Sequence, residues 1–228
     1  MERMMDAIVK PVAGEGLELR RVPVPTPGPG EVLIKVHTTA ICGTDVHIFH
    51  GDEGAAKTPA GTVLGHEFAG EIVEVGAGVK HLKAGDRVCV DPNQLCGACE
   101  YCLGGIGHFC EHMTGIGTTV HGGVAEYCVV AASQAYRFSD SVFYDAAAMT
   151  EPVSCCLHGI DLCEIQCGST VAVIGCGMIG SLVAEMLKIY DLEVLAFDPF
   201  MSPEKAEKLG VTPCSLEEIF STCSVVSV

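Results

Sequence analysis

Short apolar runs separated by Gly and Pro fill the first part of the chain. Glu31–Val36 and Gly70–Val75 are two such runs, and Ala125–Val130 is a third. The stretch Pro23–Gly30 carries a proline at every second position and cannot continue a hydrogen-bonded ladder, so it is a connection. Strands at this spacing, without long helical periods between them, predict a small β-barrel or sandwich.

The pattern changes near residue 140, where helical and parallel-strand signals begin to follow one another. Thr170–Ile174 is a continuous apolar run of the kind that parallel sheets bury. The same reading predicts helices at Tyr144–Met149, Val153–Leu162, Ser181–Tyr190, Glu204–Leu209 and Leu216–Phe220, and further strands at Glu193–Phe197 and Val225–Val228. We therefore expect an all-β domain over residues 1–150 and an α/β domain over residues 151–228.

Composition narrows the class of protein. Of 228 residues, 49% are hydrophobic and 18% are charged, which allows a sizeable core. The net charge of −16 disfavours a nucleic-acid partner, because such a chain repels phosphates. No apolar run approaches the roughly 18 residues that span a bilayer, and the first residues lack the layout of a signal peptide. These features predict a cytoplasmic protein with no membrane partner.

Fourteen cysteines are many for such a chain, and four of them are clustered. Cys96, Cys99, Cys102 and Cys110 lie in a glycine-rich excursion at about residues 91–112. A structural zinc site needs four thiolates in a closed tetrahedron, and C-x-x-C spacing supplies them in pairs. The alternative is a set of buried or reactive thiols, which this regular spacing makes the weaker interpretation.

A second, open metal site is suggested by residues far apart in sequence. Cys42 follows a predicted strand, and His66 and Glu67 are adjacent in a glycine-rich segment. A catalytic zinc takes about three protein ligands, and Cys42 and His66 are suitable types. Glu67 is either a ligand or a group that supports one, and Glu151 at the domain junction offers another carboxylate. Each residue is a weak signal when taken singly.

A dinucleotide-binding fingerprint follows the strand Thr170–Ile174 and opens a helix. Its residues, which we predict to bind the cofactor, are Gly175, Gly177, Met178, Ile179 and Gly180. Asp198 ends the next predicted strand, where its carboxylate accepts hydrogen bonds from ribose hydroxyls and repels a 2′-phosphate. NAD is therefore favoured over NADP. The alternative for Asp198, which precedes Pro199, is a simple turn residue.

Three of these motifs occur together in one known family. The run Gly65–Val79 resembles the zinc signature of the medium-chain alcohol dehydrogenases, and the cysteines at 96–110 have that family's spacing. Cys42–His47 and Thr150–Pro152 are similar to the polyol and threonine dehydrogenase branch. The resemblance covers nearly all of residues 5–190.

The resemblance implies a fold, a reaction and several residue roles. The fold is a GroES-like β-rich catalytic domain followed by a partial Rossmann-type nucleotide-binding domain. Cys42 and His66 ligate the catalytic zinc, and Glu67 and Glu151 are carboxylate ligands that exchange. Thr44 takes the proton from a small-molecule alcohol and His47 relays it to solvent. We thus expect the chain to bind two zinc ions and NAD. The resemblance allows a homo-oligomer but does not decide the oligomeric state.

The end of the chain has a second resemblance. Residues 169–228 are similar to the NAD domain of D-2-hydroxyacid dehydrogenases, and residues 170–228 suffice for about one of the two halves of a Rossmann fold. The favoured hypothesis is NAD-linked oxidation of a secondary alcohol, such as a polyol or diol, to a ketone. Its rival is a catalytically inactive zinc-binding remnant of such an enzyme. A hydroxyacid dehydrogenase ranks below both, since it leaves the metal ligands without a role.

Overall fold

The computed structural model describes residues 3–12, 14–52, 57–166 and 168–227, which fold as two compact units, Met1–Glu151 and Pro152–Val228. In the first unit the strands are β1 (Met4–Val9), β2 (Glu18–Pro23), β3 (Glu31–Thr39), β4 (Phe68–Val75), β5 (Arg87–Val90), β6 (Asn93–Gln94), β7 (Thr114–Gly115), β8 (Tyr127–Ala131) and β9 (Ala135–Arg137). Its helices are α1 (Gly43–His50), α2 (Glu100–Leu103) and α3 (Tyr144–Ala148), and α4 (Thr150–Leu162) begins at its end.

An antiparallel sheet of five strands, in the order β8-β3-β4-β5-β9, forms the centre of the first unit. Its core side chains are contributed by adjacent strands and include Ile34, Phe68, Ile72 and Val88, all at most 1% exposed. The sheet brings β3 and β4 together with a shift in register near Val36. This pairing places the end of β3, which leads to Cys42, beside the start of β4, which follows His66 and Glu67.

Helix α1 is an element that the hydrophobic pattern does not predict. It is only eight residues long and has Cys42 as its N-cap and Gly51 in the left-handed region at its C-cap. The buried ammonium group of Lys10 donates to the carbonyls of Ile48 (2.6 Å) and Phe49 (3.4 Å), which are among the last of the helix. Because these carbonyls have no partner inside the helix, Lys10 fixes the C-terminal end of α1.

The segment before α4 is held by one arginine. The Arg87 guanidinium lies over the rings of Phe138 and Tyr144, at 4.7 and 4.4 Å from their centroids. It also donates to the backbone carbonyl of Val142 at 2.8 Å. These contacts anchor the chain just before Glu151.

The second unit is a parallel α/β layer. Its strands are β10 (Thr170–Ile174), β11 (Glu193–Phe197), β12 (Thr212–Pro213) and β13 (Val225–Ser227), and its helices after α4 are α5 (Met178–Leu187), α6 (Pro203–Leu209) and α7 (Leu216–Thr222). The strands pair in the order β12-β11-β10-β13, all parallel. Val171 and Val173 pack on one face of β10 with the core that includes residues of α5 and α6, and Ala172 packs on the other with Ile219 of α7. The continuous apolar run at Thr170–Ile174 follows from this two-sided burial.

Some predicted boundaries were wrong. The helix expected at Ser181–Tyr190 begins at Met178, with Gly177 as its N-cap, and continues after Leu187 as a 3-10 turn. The helix expected from Val153 begins at Thr150. The last residue of the predicted strand Val225–Val228 lies outside the described residues. Among the helices of the described ranges, none is long and apolar enough to cross a membrane.

Lys10→Met should destabilise the first unit. The substitution fills similar space but leaves the carbonyls of Ile48 and Phe49 buried without their cationic donor, at an expected cost of about 1–3 kcal/mol in the free energy of unfolding. Urea denaturation measures this change. Lys35→Met, at an exposed position on β3, is the matched control and should leave the free energy of unfolding nearly unchanged. Equal effects of the two substitutions would contradict the assigned role of Lys10.

Candidate metal centres and glycine loop

The four clustered thiols converge in the lobe around α2. The Sγ atoms of Cys96, Cys99, Cys102 and Cys110 all lie within 4.8 Å of one another, and those of Cys96 and Cys102 are 3.9 Å apart. Tetrahedral coordination with zinc–sulfur bonds of 2.3 Å requires about 3.8 Å between sulfurs. The thiol spacing thus fits a closed four-cysteine zinc site, and the donor set matches the metal expected from the sequence.

Backbone N–H groups favour the ionised form of two of these thiols. The amide of Cys102, and next that of Glu111, donate toward Cys99 and lower the pKa of its thiol to about 6. The amide of Cys96 donates to the Cys110 sulfur at 3.4 Å and lowers the pKa of that thiol. Burial and the neighbouring thiols instead raise the pKa of Cys102 to about 12. Four sulfurs at this spacing cannot all be ionised without a cation among them.

A second group of potential ligands is buried beside α1. The Cys42 sulfur, a His66 ring nitrogen and a Glu67 carboxylate oxygen lie within 4.8 Å of one another. We call these three residues the buried ligand cluster. His66 and Glu67 are almost inaccessible, and Cys42 is partly buried. A thiol, an imidazole and a carboxylate leave one position of a tetrahedral zinc ion open, as catalytic sites do.

The buried ligand cluster is electrostatically incomplete. Glu67 is 2% exposed, and its Oε2 atom has no hydrogen-bond partner among the described residues. Burial raises the pKa of the Glu67 carboxyl, and His66 opposes that rise. The negative charge of Glu151 raises the pKa of the Glu67 carboxyl further. A carboxylate buried in this way needs a cation, and a metal ion between these three donors fits the requirement.

Asp45 belongs to this site, although sequence reasoning did not single it out. Its side chain is buried; Oδ2 accepts a hydrogen bond from the Cys42 amide at 2.9 Å, and Oδ1 lies 3.8 Å from Nδ1 of His66. Neither Oδ1 of Asp45 nor Nδ1 of His66 has a hydrogen-bond partner in the described chain. The position favours a role in orienting His66. In the sequence, the signal for Asp45 is its position as an acidic residue three places after Cys42, the N-cap of α1.

The two residues predicted to move a proton lie on α1. The Thr44 hydroxyl oxygen is 3.7 Å from the Cys42 sulfur, which places it at the edge of the buried ligand cluster. His47 lies three positions further on, so both side chains project from the same side of the helix. The His47 ring is largely exposed and its Nδ1 atom is 2.8 Å from a carboxylate oxygen of Asp52. The helix thus extends from a potential metal ligand to a titratable group in solvent.

Glu151 lies near Glu67 but contributes no ligand atom to the cluster. Its charge raises the pKa of Glu67, whereas the ligand atoms that lie within 4.8 Å of one another come from Cys42, His66 and Glu67. Of the two carboxylates left open by the sequence, Glu67 is therefore the one that lies within ligand distance of Cys42 and His66.

The glycine loop of the second unit is held rigidly between β10 and α5. Gly175 has a φ of +83°, and a Cβ atom on Gly180 would overlap the Gly175 carbonyl oxygen. Oδ2 of Asp198 accepts a hydrogen bond from the Cys176 amide at 2.7 Å, and the Lys205 ammonium donates to the Cys176 carbonyl oxygen. These contacts within the chain define the conformation of the loop, and a phosphate-binding loop needs such a defined backbone.

The Asp198 carboxylate has a second backbone donor. The amide of Phe200 donates to Oδ1 at 2.7 Å, and this bond, followed by that from Cys176, lowers the pKa of Asp198. Asp198 therefore stabilises the loop and its own turn, which is more than the simple turn role considered from sequence. Each carboxylate oxygen keeps a lone pair for a ribose hydroxyl.

Comparison with protein families assigns the two parts of the chain differently. Residues 28–140 match the alcohol dehydrogenase GroES-like domain. Residues 162–228 match the NAD-binding domain of D-isomer specific 2-hydroxyacid dehydrogenases. The expected fold class, a GroES-like domain followed by a Rossmann-type segment, is confirmed.

Individual proteins are similar over most of the chain. An L-threonine 3-dehydrogenase from Xanthomonas campestris pv. campestris is 41% identical over 188 residues, which is 81% of this chain and 54% of that protein. A short chain alcohol dehydrogenase from Escherichia coli CFT073 complexed with NADH has a TM-score of 0.87 at 31% identity, over 98% of this chain and 68% of that one. The crystal structure of 2R,3R-butanediol dehydrogenase from Bacillus subtilis has a TM-score of 0.82 at 32% identity. The match covers 94% of this chain and 64% of that one. The chain spans about half the length of the curated relatives it matches.

Metal content should separate the two clusters. We expect two zinc ions per purified chain, one for each group of donors, and one after either Cys99→Ser or Cys42→Ser. Elemental analysis after dialysis measures this ratio. Cys163→Ser, which removes a thiol outside both clusters, is the control and should keep both ions. A ratio that does not change with Cys99→Ser or Cys42→Ser would contradict the assignment.

The Asp198 carboxylate should stabilise the glycine loop in a pH-dependent way. In Asp198→Asn the side chain offers one acceptor oxygen for two backbone amides, so we expect faster hydrogen exchange at Cys176 near neutral pH. Because the pKa of Asp198 is lowered in the folded protein, its stabilisation is present at neutral pH and is lost as the pH falls through that value. The thermal stabilities of the two proteins should therefore converge in acid.

Asp161→Asn, an exposed change on α4, is the matched control for charge and should alter neither measurement. If the thermal stabilities of Asp198→Asn and the wild type differ by the same amount at all pH values, the prediction is contradicted.

Proposed function

Because the chain belongs to the zinc-dependent medium-chain alcohol dehydrogenase family, we propose that it catalyses the NAD-linked oxidation of a secondary alcohol to a ketone. The observation that carries this proposal is the buried ligand cluster of Cys42, His66 and Glu67, with the hydroxyl of Thr44 beside it. A closed four-cysteine site alone would support no reaction, since it leaves no position for a substrate.

The chain supplies a binding site for each group that the reaction needs. Cys42, His66 and Glu67 would hold a catalytic zinc ion, and the lobe that contains Cys99 would hold a structural one. The loop Gly175–Gly180 and Asp198 would hold NAD. When bound, zinc supplies Lewis-acid stabilisation of the substrate oxygen and NAD supplies a hydride acceptor.

The protein's own residues handle the proton. The Thr44 hydroxyl accepts the proton of the substrate hydroxyl and gives its own proton toward His47, which releases one to solvent. Asp45 holds the start of α1 through the Cys42 amide, and Lys10 holds its end through the carbonyl of Ile48. The helix that carries the proton path is thereby fixed at both ends.

The names of two relatives support a proposal for the substrate class. One of them is named for L-threonine and position 3, another for 2R,3R-butanediol, and both names denote hydroxyl groups on secondary carbons. We propose a small polyhydroxylated or amino-substituted secondary alcohol, of the polyol, vicinal diol or L-threonine type. The net charge of −16 favours a neutral or zwitterionic substrate over a polyanion.

Reduction of NAD with a panel of polyols, diols and L-threonine tests the proposal. Turnover by the zinc-loaded wild type should fall about 100-fold in Thr44→Ala, because the first proton acceptor is lost. Thr38→Ala is the control: it removes a hydroxyl that donates to Asp145 at 2.8 Å in the same unit, and turnover should be retained.

The rival function, a zinc-binding protein without catalysis, predicts a different result. Both metal sites would fill, yet no alcohol in the panel would reduce NAD. That outcome would reject the proposed reaction and leave the metal assignments intact.

A further inference from the structure

Asp52 lies beside the solvent end of the proton path. It follows Gly51, whose φ of 72° ends α1, and its amide donates back to the His47 carbonyl at 3.1 Å. This turn returns the Asp52 carboxylate to the face of the helix that bears the His47 ring, where Oδ2 lies 2.8 Å from Nδ1. The contact is a product of the capping turn.

The turn itself is packed, so the position of Asp52 is defined by the fold. The backbone of Gly14 lies so close to Gly51 that a Cβ atom on Gly51 would overlap it. The amide of Gly16 donates to the Phe49 carbonyl at 2.8 Å, and Lys10 binds carbonyls of α1 and of this loop. The end of α1 therefore has little freedom to move away from its partner loop.

An exposed pair of this kind adds little to folding stability. The side chains of His47 and Asp52 are 64% and 49% exposed, and such pairs are screened by solvent. The pair has a chemical effect instead. A carboxylate at Nδ1 favours the tautomer with hydrogen on Nδ1 and leaves Nε2 with the lone pair that accepts a proton.

We propose that Asp52 is a positioning residue for proton transfer: it binds Nδ1–H of His47 and so makes Nε2 the nitrogen that receives the proton. The inference rests on the proposed function. In the proton step, the Thr44 O–H bond breaks as its proton passes to Nε2, and Thr44 gains the proton of the substrate hydroxyl. The ring then carries one positive charge next to the Asp52 carboxylate, and it returns to neutral by releasing a proton to water.

The tautomer of His47 can be measured without any reaction. In ¹⁵N-labelled, zinc-loaded full chain at a pH above about 8, where an ordinary imidazole is neutral, the two ring nitrogens give distinct signals for a protonated and an unprotonated atom. Comparison with His47→Gln assigns the signal among the nine histidines. We expect hydrogen on Nδ1 in the wild type and a shift toward Nε2–H in Asp52→Ala. An unchanged tautomer in Asp52→Ala overturns the proposal.

A neighbouring pair on the same helix provides the matched control. His50 faces Glu15 at 4.0 Å, and both side chains are exposed, as are those of the pair under test. Glu15→Ala removes a carboxylate of the same charge near α1 and should leave the His47 tautomer unchanged. A shift as large as that of Asp52→Ala would overturn the proposal, because it would show a general charge effect.

Kinetics separate a positioning role from a structural one. Asp52→Ala should lower kcat about tenfold while KM for the alcohol and Kd for NAD change less than about twofold. Asp52→Asn keeps an oxygen acceptor for Nδ1–H and should retain the tautomer and most of the rate. A loss in Asp52→Asn equal to that in Asp52→Ala, or a loss confined to KM, overturns the proposal.

Failure of the proposed function gives a separate result. If the wild type reduces no NAD with any alcohol while its His47 tautomer responds to Asp52→Ala, the proposed reaction is rejected. The role of Asp52 in proton transfer is then rejected as well. If the wild type is active but the tautomer does not respond, only the role of Asp52 is rejected.

Discussion

The burial of the Glu67 carboxylate is the constraint on which the first unit depends. A carboxylate this deeply buried raises the free energy of the folded state unless positive charge lies beside it. Among the described residues, His66 alone leaves an oxygen of Glu67 and a nitrogen of its own ring without hydrogen-bond partners. Cys42 completes the set of donors, so a cation bound here would stabilise the fold and form the proposed reactive site by the same contacts. The strand pairing of β3 with β4, the N-cap of α1 and the orientation of Asp45 all serve to keep these donors together.

Local patterns predicted the parts of the molecule whose geometry is local. The thiols of Cys96, Cys99 and Cys102 recur at a fixed spacing within seven consecutive residues. The glycine loop lies between a strand and a helix that each have a clear hydrophobic pattern. The boundary errors at α4 and α5 have a common origin, because Thr150 lies at the predicted domain junction and Met178 lies within the glycine loop, and neither segment has a helical pattern of its own. Propensity alone does not locate a first turn that tertiary contacts stabilise.

The remaining features could not be derived from sequence, because they depend on contacts between distant segments. Asp45 acquires its role only when β4 brings His66 to within 3.8 Å, and Lys10 only when β1 passes the end of α1. Helix α1 itself has eight residues and three charged or titratable side chains, too few apolar positions for a period to show. The roles proposed for Thr44 and His47 come from the resemblance to a dehydrogenase family, because periodicity does not indicate them.

Helix α1 carries its N-cap ligand Cys42, the hydroxyl of Thr44 and the ring of His47 within six consecutive residues. An α-helix turns by about 100° per residue. Insertion or deletion of a single residue between Cys42 and His47 would rotate the imidazole to another side of the helix, whereas any amino-acid replacement leaves the spacing intact. The residues between these three positions can therefore be replaced, but the number of residues that separates Cys42, Thr44 and His47 is fixed by the geometry of the helix.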